Sequence, residues 1–184
     1  MSQDDQLVYK LLAVLLEYPD AAWQAALVDL DQVVAGLQDA DQRQIFRNFF
    51  SQVAATAPDQ LEQAYTAAFD LDPAFSLNLT YHLLGDSEDR GKALAALLRL
   101  YCRQGFELAE RQLPDYLPLV FEFLSLSSGP QEHALLNSCL GTIAPLAERL
   151  EKKQQHVHAG LVRLGADLVQ RHTPSTTAHQ SKEP

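Results

Sequence analysis

The chain contains little that would stabilise a fold other than a packed apolar core. Only two of its 184 residues are cysteines, and Cys102 and Cys139 lie far apart in no spacing typical of a metal site. We interpret both as buried, reduced thiols rather than as a disulfide framework. No apolar run reaches the roughly 18 residues that a membrane helix needs, which argues against stable membrane insertion. The acidic start, Met1 to Asp5, lacks the basic region of a signal peptide, so we expect a cytoplasmic location.

Basic residues are also scarce, because 14 Lys and Arg residues face 24 Asp and Glu residues and leave a net charge of −10. The deficit lies in residues 1–148, which carry 8 basic and 21 acidic side chains, whereas residues 149–184 carry 6 and 3. Such an acidic body argues against nucleic acid as a partner, since phosphates require a basic surface. It favours a basic protein partner, although solubility alone also explains the charge.

The sequence shows no strand-like alternation, no internal repeat and no glycine-rich linker. Apolar residues instead recur at helical spacing in nearly every segment, as in Leu7, Leu11, Val14 and Leu15. Helix starts are predicted at residues suited to the first turn or the cap: Asp20, Asp41, Pro58 or Asp59, and Asp86 or Ser87. Pro145 is expected to kink or divide a long helical region. We predict one all-α domain, a helical bundle of roughly eight helices over residues 1–172, with a disordered polar tail over residues 173–184.

A proline-containing segment from Leu113 to Leu124 is the most distinctive part of the chain. Asp115 is predicted to cap a helix that has Pro118 in its first turn, where an N–H group has no intrahelical partner to lose. Apolar residues cover two faces of this helix, which predicts burial on both sides. Glu122 interrupts the apolar surface, and a carboxylate there needs a partner or a solvated groove.

No arrangement of residues requires an enzyme. The segment from Gly85 to Ala93 resembles a phosphate-binding loop only superficially, because its glycines are too far apart and it lacks the Ser or Thr that would hold magnesium. His156 and His158 are two residues apart, which on a helix would point them to different faces and disfavours a metal site. No nucleophile has a recognisable paired base. We therefore predict a non-enzymatic protein that holds no cofactor of its own.

Aromatic and polar residues near the central helix breaks are candidate binding residues. Tyr65 and Phe69 lie one helical turn apart and are followed directly by Asp70. Further candidates are His82, Asp86 and Asp115. Each has a simple structural explanation, as a core ring, a buried histidine or a helix cap, and only their joint occurrence suggests a function.

Four segments of the chain occur in a characteristic order. They are Leu15 to Asp20, Tyr65-x-x-x-Phe69-Asp70, His82-x-x-Gly85-Asp86-Ser87-x-Asp89-Arg90-Gly91, and Leu113 to Leu124. Together they resemble the delta subunit family of respiratory nitrate reductase, which are assembly chaperones of the NarJ type in the wider TorD/DmsD group of molybdoenzyme maturation factors. The match covers most of residues 7–126. The acidic loop Leu71 to Ala74 departs from the family pattern, in which basic residues are expected.

The resemblance implies an all-helical, system-specific chaperone. Such a protein binds the N-terminal segment of the apo catalytic subunit and holds it for molybdenum cofactor insertion before membrane docking. A segment that binds as an amphipathic helix needs an apolar groove with acidic residues at its rim. The predicted client-binding residues are Tyr65, Phe69, Tyr116 and Phe123 as apolar anchors, and Asp70, His82, Asp86, Asp115 and Glu122 as polar contacts.

Other functions fit the same residues. The client could be a different molybdoenzyme, such as a selenate, chlorate or dimethyl-sulfoxide-type reductase. A structural helical subunit that stays in its mature complex is a second alternative. Cofactor-delivery proteins are further candidate partners, and we expect a monomer.

Overall fold

Helices form all of the regular structure that the computed structural model describes, which covers residues 1–108, 112–126, 134–153 and 156–172. Within these ranges the only β-type pairing is one isolated bridge between Asn78 and Tyr116. The helices are α1 (Gln3–Leu15), α2 (Ala21–Ala35), α3 (Ala40–Ala54), α4 (Pro58–Tyr65), α5 (Leu79–Leu84), α6 (Glu88–Arg103), α7 (Leu117–Leu126), α8 (Ala134–Leu140), α9 (Ile143–Lys152) and α10 (Ala159–His172). A π-helical turn (Thr66–Asp70) and a 3₁₀ turn (Pro73–Phe75) lie between α4 and α5. The predicted all-α fold is confirmed.

Several helix starts follow directly from local chemistry. Asp20 accepts a hydrogen bond from the Trp23 backbone N–H at 2.8 Å and caps α2 as predicted. Pro58 occupies the first turn of α4, where its missing N–H costs nothing. The start of α3 differs from the prediction, because the cap is Asp39 rather than Asp41.

Helix α7 lies in the centre of the core, as its two apolar faces predict. It packs along α1, and all of its described residues are buried except Glu122 and Leu126. On α10, a Cβ atom at Gly165 would overlap the ring of Phe121, which is itself fully buried. A larger residue at position 165 would therefore force apart α7 and α10.

Asp115 does not cap its own helix, so that prediction was wrong. The backbone around it pairs with the start of α5, where the Leu79 N–H donates to the Asp115 carbonyl and the Leu117 N–H donates to the Leu77 carbonyl. The Asp115 carboxylate accepts a hydrogen bond from the Thr80 N–H at 3.0 Å and so caps α5 instead.

The C-terminal helices are divided as the sequence suggests, but at a different residue. The chain breaks between α8 and α9 at Gly141 and Thr142, and Pro145 lies in the first turn of α9, where proline is tolerated. The predicted loop over residues 127–130 and the predicted tail over residues 173–184 lie outside the described residues.

Candidate functional site

A π-helical turn positions the first pair of predicted site residues. Helix α4 widens after Tyr65, and the Leu71 N–H donates to the Thr66 carbonyl five residues earlier at 3.0 Å. The rings of Tyr65 and Phe69 meet edge to face, with centroids 4.8 Å apart. Both are almost fully buried, whereas Asp70 is exposed directly beside them. Such turns occur frequently at functional sites.

The Tyr65 hydroxyl joins three elements. It lies 2.9 Å from the Leu16 carbonyl and 3.1 Å from the Tyr116 hydroxyl, and the latter lies 3.1 Å from Glu17 Oε2. Burial raises the pKa of Glu17, and the nearby Glu122 raises it further, while the bond from Tyr116 lowers it.

The chain of hydrogen bonds from Glu17 through Tyr116 and Tyr65 to the Leu16 carbonyl depends on whether Glu17 is protonated. If Glu17 is ionised, the two tyrosines supply two protons for three hydrogen bonds. If Glu17 is protonated, Glu17 donates to Tyr116, Tyr116 donates to Tyr65 and Tyr65 donates to Leu16, so every bond is complete. The raised pKa of Glu17 favours the same protonated form.

Tyr18 extends the cluster to the surface. It is 40% exposed, its ring meets Tyr65 edge to face at 5.4 Å, and its hydroxyl donates to Glu62 Oε2 at 3.2 Å. We call the resulting surface the aromatic–acidic face, which consists of Glu17, Tyr18, Glu62, Tyr65, Phe69, Asp70 and Tyr116. Sequence reasoning missed Glu17, Tyr18 and Glu62; the first two lie within the motif Leu15 to Asp20, which was the available signal.

Two of the predicted residues lie apart from this face or at its edge. Phe123 is buried against Tyr101 at 4.5 Å and Phe106 at 5.7 Å, in a separate aromatic cluster. Glu122 forms an ion pair with Lys10 of α1 at 2.5 Å and is 40% exposed. Glu122 therefore has both the partner and the solvent access that the sequence analysis expected for this carboxylate.

His82 is hydrogen-bonded to the backbone of the segment before α5. Its Nε2 lies 2.7 Å from the Ser76 carbonyl, and its Nδ1 lies 3.4 Å from Arg149 Nη2. A neutral ring that donates from Nε2 and accepts at Nδ1 satisfies both contacts. Burial lowers the pKa of His82 and favours this form. Asp86 is exposed and follows Gly85, whose φ of 56° favours glycine.

Asp115 is fully buried and therefore cannot be a rim residue in this structure. Its Oδ2 accepts from the Thr80 hydroxyl at 2.5 Å and from the Thr80 N–H, and it lies 3.7 Å from Arg90 Nη2. Arg90 also donates to the Thr80 hydroxyl at 3.2 Å. Thr80 and Arg90 were missed from the sequence, although Arg90 lies within the quoted motif. The network ties α5, α6 and the start of α7 together beneath the site.

The two histidines before α10 do not point to different faces as predicted. They precede the helix, and their ring centroids lie 5.5 Å apart. His158 is 1% exposed and is surrounded by Phe49, Tyr65 and Phe69 at centroid distances of 5.4 to 5.5 Å. The described residues contain no group of three or more His, Cys, Asp or Glu side chains that could hold a metal ion. In the same part of the chain, none of the helices has the length and apolar character needed to cross a membrane.

The fold has a counterpart among solved structures. A crystal structure of a redox enzyme maturation protein from Archaeoglobus fulgidus matches it with a TM-score of 0.62, over 90% of this chain and 93% of that chain. The sequence identity is 20%, so this likeness defines the class of fold alone.

Sequence comparison defines the family. The family described as "Nitrate reductase delta subunit" matches residues 16–158, and the chain belongs to this family. The "Probable nitrate reductase molybdenum cofactor assembly chaperone NarJ" of Bacillus subtilis is 32% identical over 81% of this chain and 81% of its own length. The "Nitrate reductase molybdenum cofactor assembly chaperone NarJ" of Escherichia coli K12 is 34% identical over 78% of this chain, which spans 62% of that protein. The resemblance inferred from the four motifs is confirmed.

Proposed function

We propose that this protein is a non-enzymatic chaperone for nitrate reductase. It binds the N-terminal segment of the apo catalytic subunit and holds that subunit for molybdenum cofactor insertion before membrane docking. Membership of the delta subunit family and the names of the curated relatives support the chaperone role. The binding of the N-terminal segment and its timing are the finer parts of the proposal.

The observation that carries the proposal is the aromatic–acidic face. It combines a solvent-accessible aromatic ring at Tyr18 with carboxylates at Glu62 and Asp70. Aromatic surface anchors the apolar side of a bound helix, and carboxylates at the edge attract its basic residues and set its orientation. Within the proposed site Asp115 is a positioning residue, because its bonds to α5 fix Tyr116 beside Tyr65.

The arrangement also supports reversible binding. Tyr65 and Phe69 are already packed in the free protein, so a client gains only the surface that remains exposed. We expect a dissociation constant on the order of nanomolar to micromolar, which permits release after assembly.

Calorimetric titration with a synthetic peptide of the catalytic subunit's N-terminus tests the proposal. One-to-one saturation that weakens at high salt is the expected result, because exposed charge pairs are screened. A peptide of the same composition in scrambled order is the control for non-specific attraction. Equal binding of both peptides, or no binding of either, would contradict the proposal.

Charge removal on the protein sharpens the same test. The double variant Glu62→Gln/Asp70→Asn should weaken binding several-fold by removing two charges from the face. Asp29→Asn/Asp31→Asn removes two exposed charges from α2 and should leave the affinity within error. If both variants weaken binding equally, net charge rather than this face attracts the peptide.

A further inference from the structure

A pocket beside the π-helical turn adjoins the aromatic–acidic face. It measures about 320 Å³ and is lined by Phe69, Asp70, Pro73, Ser76, Asn78 and Tyr81. All six residues belong to the segment between the end of α4 and the first turn of α5. The volume is near the lower limit of roughly 300–1,000 Å³ for small-molecule sites and suits one long side chain.

The residues that line this pocket are accessible to an entering side chain. Asp70 and Pro73 are exposed, and Ser76, Asn78 and Tyr81 are half-buried. Asn78 occupies the N-cap position of α5, but its side chain makes no capping bond. Its amide oxygen is therefore available as an acceptor beside the Asp70 carboxylate.

Charge identifies the kind of side chain that this pocket attracts. Two other aspartates of the region have a basic partner, since Asp72 pairs with Lys153 at 3.5 Å and Asp115 pairs with Arg90 at 3.7 Å. Within the described part of the chain, no basic side chain pairs with Asp70. Its carboxylate therefore remains for a cation that comes from outside the chain.

The basic residues of the adjoining helices are already engaged. Lys153 lies 4.3 Å from the centre of the Phe75 ring as well as beside Asp72. Arg149 donates from Nε to the Ala74 carbonyl at 2.9 Å. Each of these side chains would have to give up a contact in order to pair with Asp70.

The ring of Tyr81 favours a guanidinium as the cation. Arg90 lies over this ring, 5.7 Å from its centroid, but does not line the pocket, so a different part of the ring faces the pocket. A guanidinium stacks on aromatic rings and offers five N–H donors in one plane, which can reach a carboxylate and an amide oxygen together. An ammonium is a compact point charge that makes such contacts less well.

We propose that this pocket is a subsite for one arginine side chain of the client helix, with its guanidinium bonded to the Asp70 carboxylate and its stem packed on Tyr81. The inference rests on the proposed function and names the residue type that this part of the site recognises. Phe69 and Asp70 belong both to the pocket and to the aromatic–acidic face. A client helix on that face therefore has the pocket within reach of one long side chain.

Calorimetric titration of charge variants tests the role of Asp70. Asp70→Asn should weaken binding of the N-terminal peptide about fivefold, the upper range for an exposed ion pair. Asp59→Asn is the matched control, because it removes the same charge from an exposed position in the first turn of α4, outside the pocket. It should leave the affinity unchanged within error. Both variants should retain the thermal midpoint of the parent, since both positions are exposed.

Peptide variants identify the side chain that enters the pocket. Each arginine of the peptide is replaced in turn by glutamine and by lysine. One replacement by glutamine should weaken binding to the parent protein about fivefold and leave binding to Asp70→Asn unchanged. Lysine at the same position should recover only part of the lost affinity.

The ring contact is tested at Tyr81. Tyr81→Leu removes the ring and should weaken binding about two- to fivefold, the effect of one cation–π contact at an accessible site. Tyr81→Phe retains the ring and should lose less affinity than Tyr81→Leu. Equal losses in the two variants would contradict the contact between the ring and the arginine.

The outcomes distinguish the two proposals. Absence of peptide binding by the parent protein would overturn the proposed function. Binding by the parent that is weakened equally by Asp70→Asn and Asp59→Asn, or by neither, would overturn the subsite alone. Full additivity of Asp70→Asn with every arginine replacement would also overturn it, because no arginine would then meet this carboxylate. A lysine that replaces the arginine without loss would overturn the assignment to a guanidinium.

Discussion

Asp115 and His158 are equally buried, yet one has polar partners and the other has none. Asp115 is 0% exposed and is held by Thr80 and Arg90, whereas His158 is 1% exposed and has no hydrogen-bond partner at either ring nitrogen. The comparison shows that equal burial does not imply equal hydrogen bonding. At Asp115 only Oδ2 has partners and Oδ1 has none, whereas at His158 both ring nitrogens lack a partner, so hydrogen bonds offset the cost of burial in part at Asp115 and not at His158.

The largest effect on stability is expected for a substitution of Asp115. Asp115→Ala removes the cap of α5 and leaves the Arg90 guanidinium, which is 19% exposed, without its carboxylate. We expect the free energy of unfolding to fall by about 3–5 kcal/mol in urea titration. Asp29→Ala, at an exposed position of α2, should change it by less than about 0.5 kcal/mol. Similar small losses in both variants would remove the structural role assigned to Asp115.

The next largest effect is expected at His158, as a pH dependence of the free energy of unfolding. Unfolded histidine titrates near pH 6.5, and the pKa of about 3 in the folded state means that only the unfolded chain gains a proton between these values. Stability is therefore lost as the pH falls below about 6.5, by about 2 kcal/mol between pH 7 and pH 5 for this residue. His158→Leu should show a correspondingly shallower dependence than the parent. Parallel curves for the two proteins would mean that His158 is solvated in solution.

Thr80 allows a milder change in the Asp115 network. Thr80→Val keeps the shape and the backbone N–H bond but removes the hydroxyl that Asp115 and Arg90 share. We expect a loss of about 1–2 kcal/mol, smaller than that of Asp115→Ala. The double variant should lose less than the two single losses combined, which a double-mutant cycle measures. Full additivity would show that the hydroxyl and the carboxylate act independently.

A substitution of Glu17, whose hydrogen bonding depends on its protonation, should have the smallest effect on stability. Because its pKa is raised in the folded state, the group contributes stability at low pH that is lost as the pH rises through the raised pKa. Glu17→Gln retains a donor toward Tyr116 at every pH and should stabilise the protein by up to about 1 kcal/mol at pH 8. Near pH 4 the gain should vanish. A gain that is equal at both pH values would contradict the proton count for this chain of hydroxyls.

Local sequence patterns predicted the helices well and their long-range partners poorly. The cap at Asp20 and the proline start at Pro58 depend on neighbours within three residues, so the sequence alone contains the information. Asp115 was assigned to its own helix for the same reason, but its partner Thr80 lies 35 residues earlier. No periodicity reports which of two helix starts a carboxylate will cap.

The same limit explains the candidate site. Tyr65, Phe69 and Asp70 are adjacent through one turn, so the sequence could predict that they belong together. Phe123 directly follows Glu122, and from the sequence it could face either side of α7. Its packing against Tyr101 and Phe106 in the folded protein decides which side it faces. The histidine pair was judged by helical spacing, but the helix begins one residue after His158.

The π-helical turn has a consequence for how this surface can change over time. A π turn contains about one residue more than an α turn, whereas an α-helix rotates about 100° per residue. Deletion of a single codon between Tyr65 and Phe69 with a return to regular winding would therefore remove one residue and the extra winding together, so Asp70 would keep nearly its present direction around the axis. The smallest in-frame lesion in the gene would thus shorten this segment by one residue and still leave the acidic group on the same side of the helix.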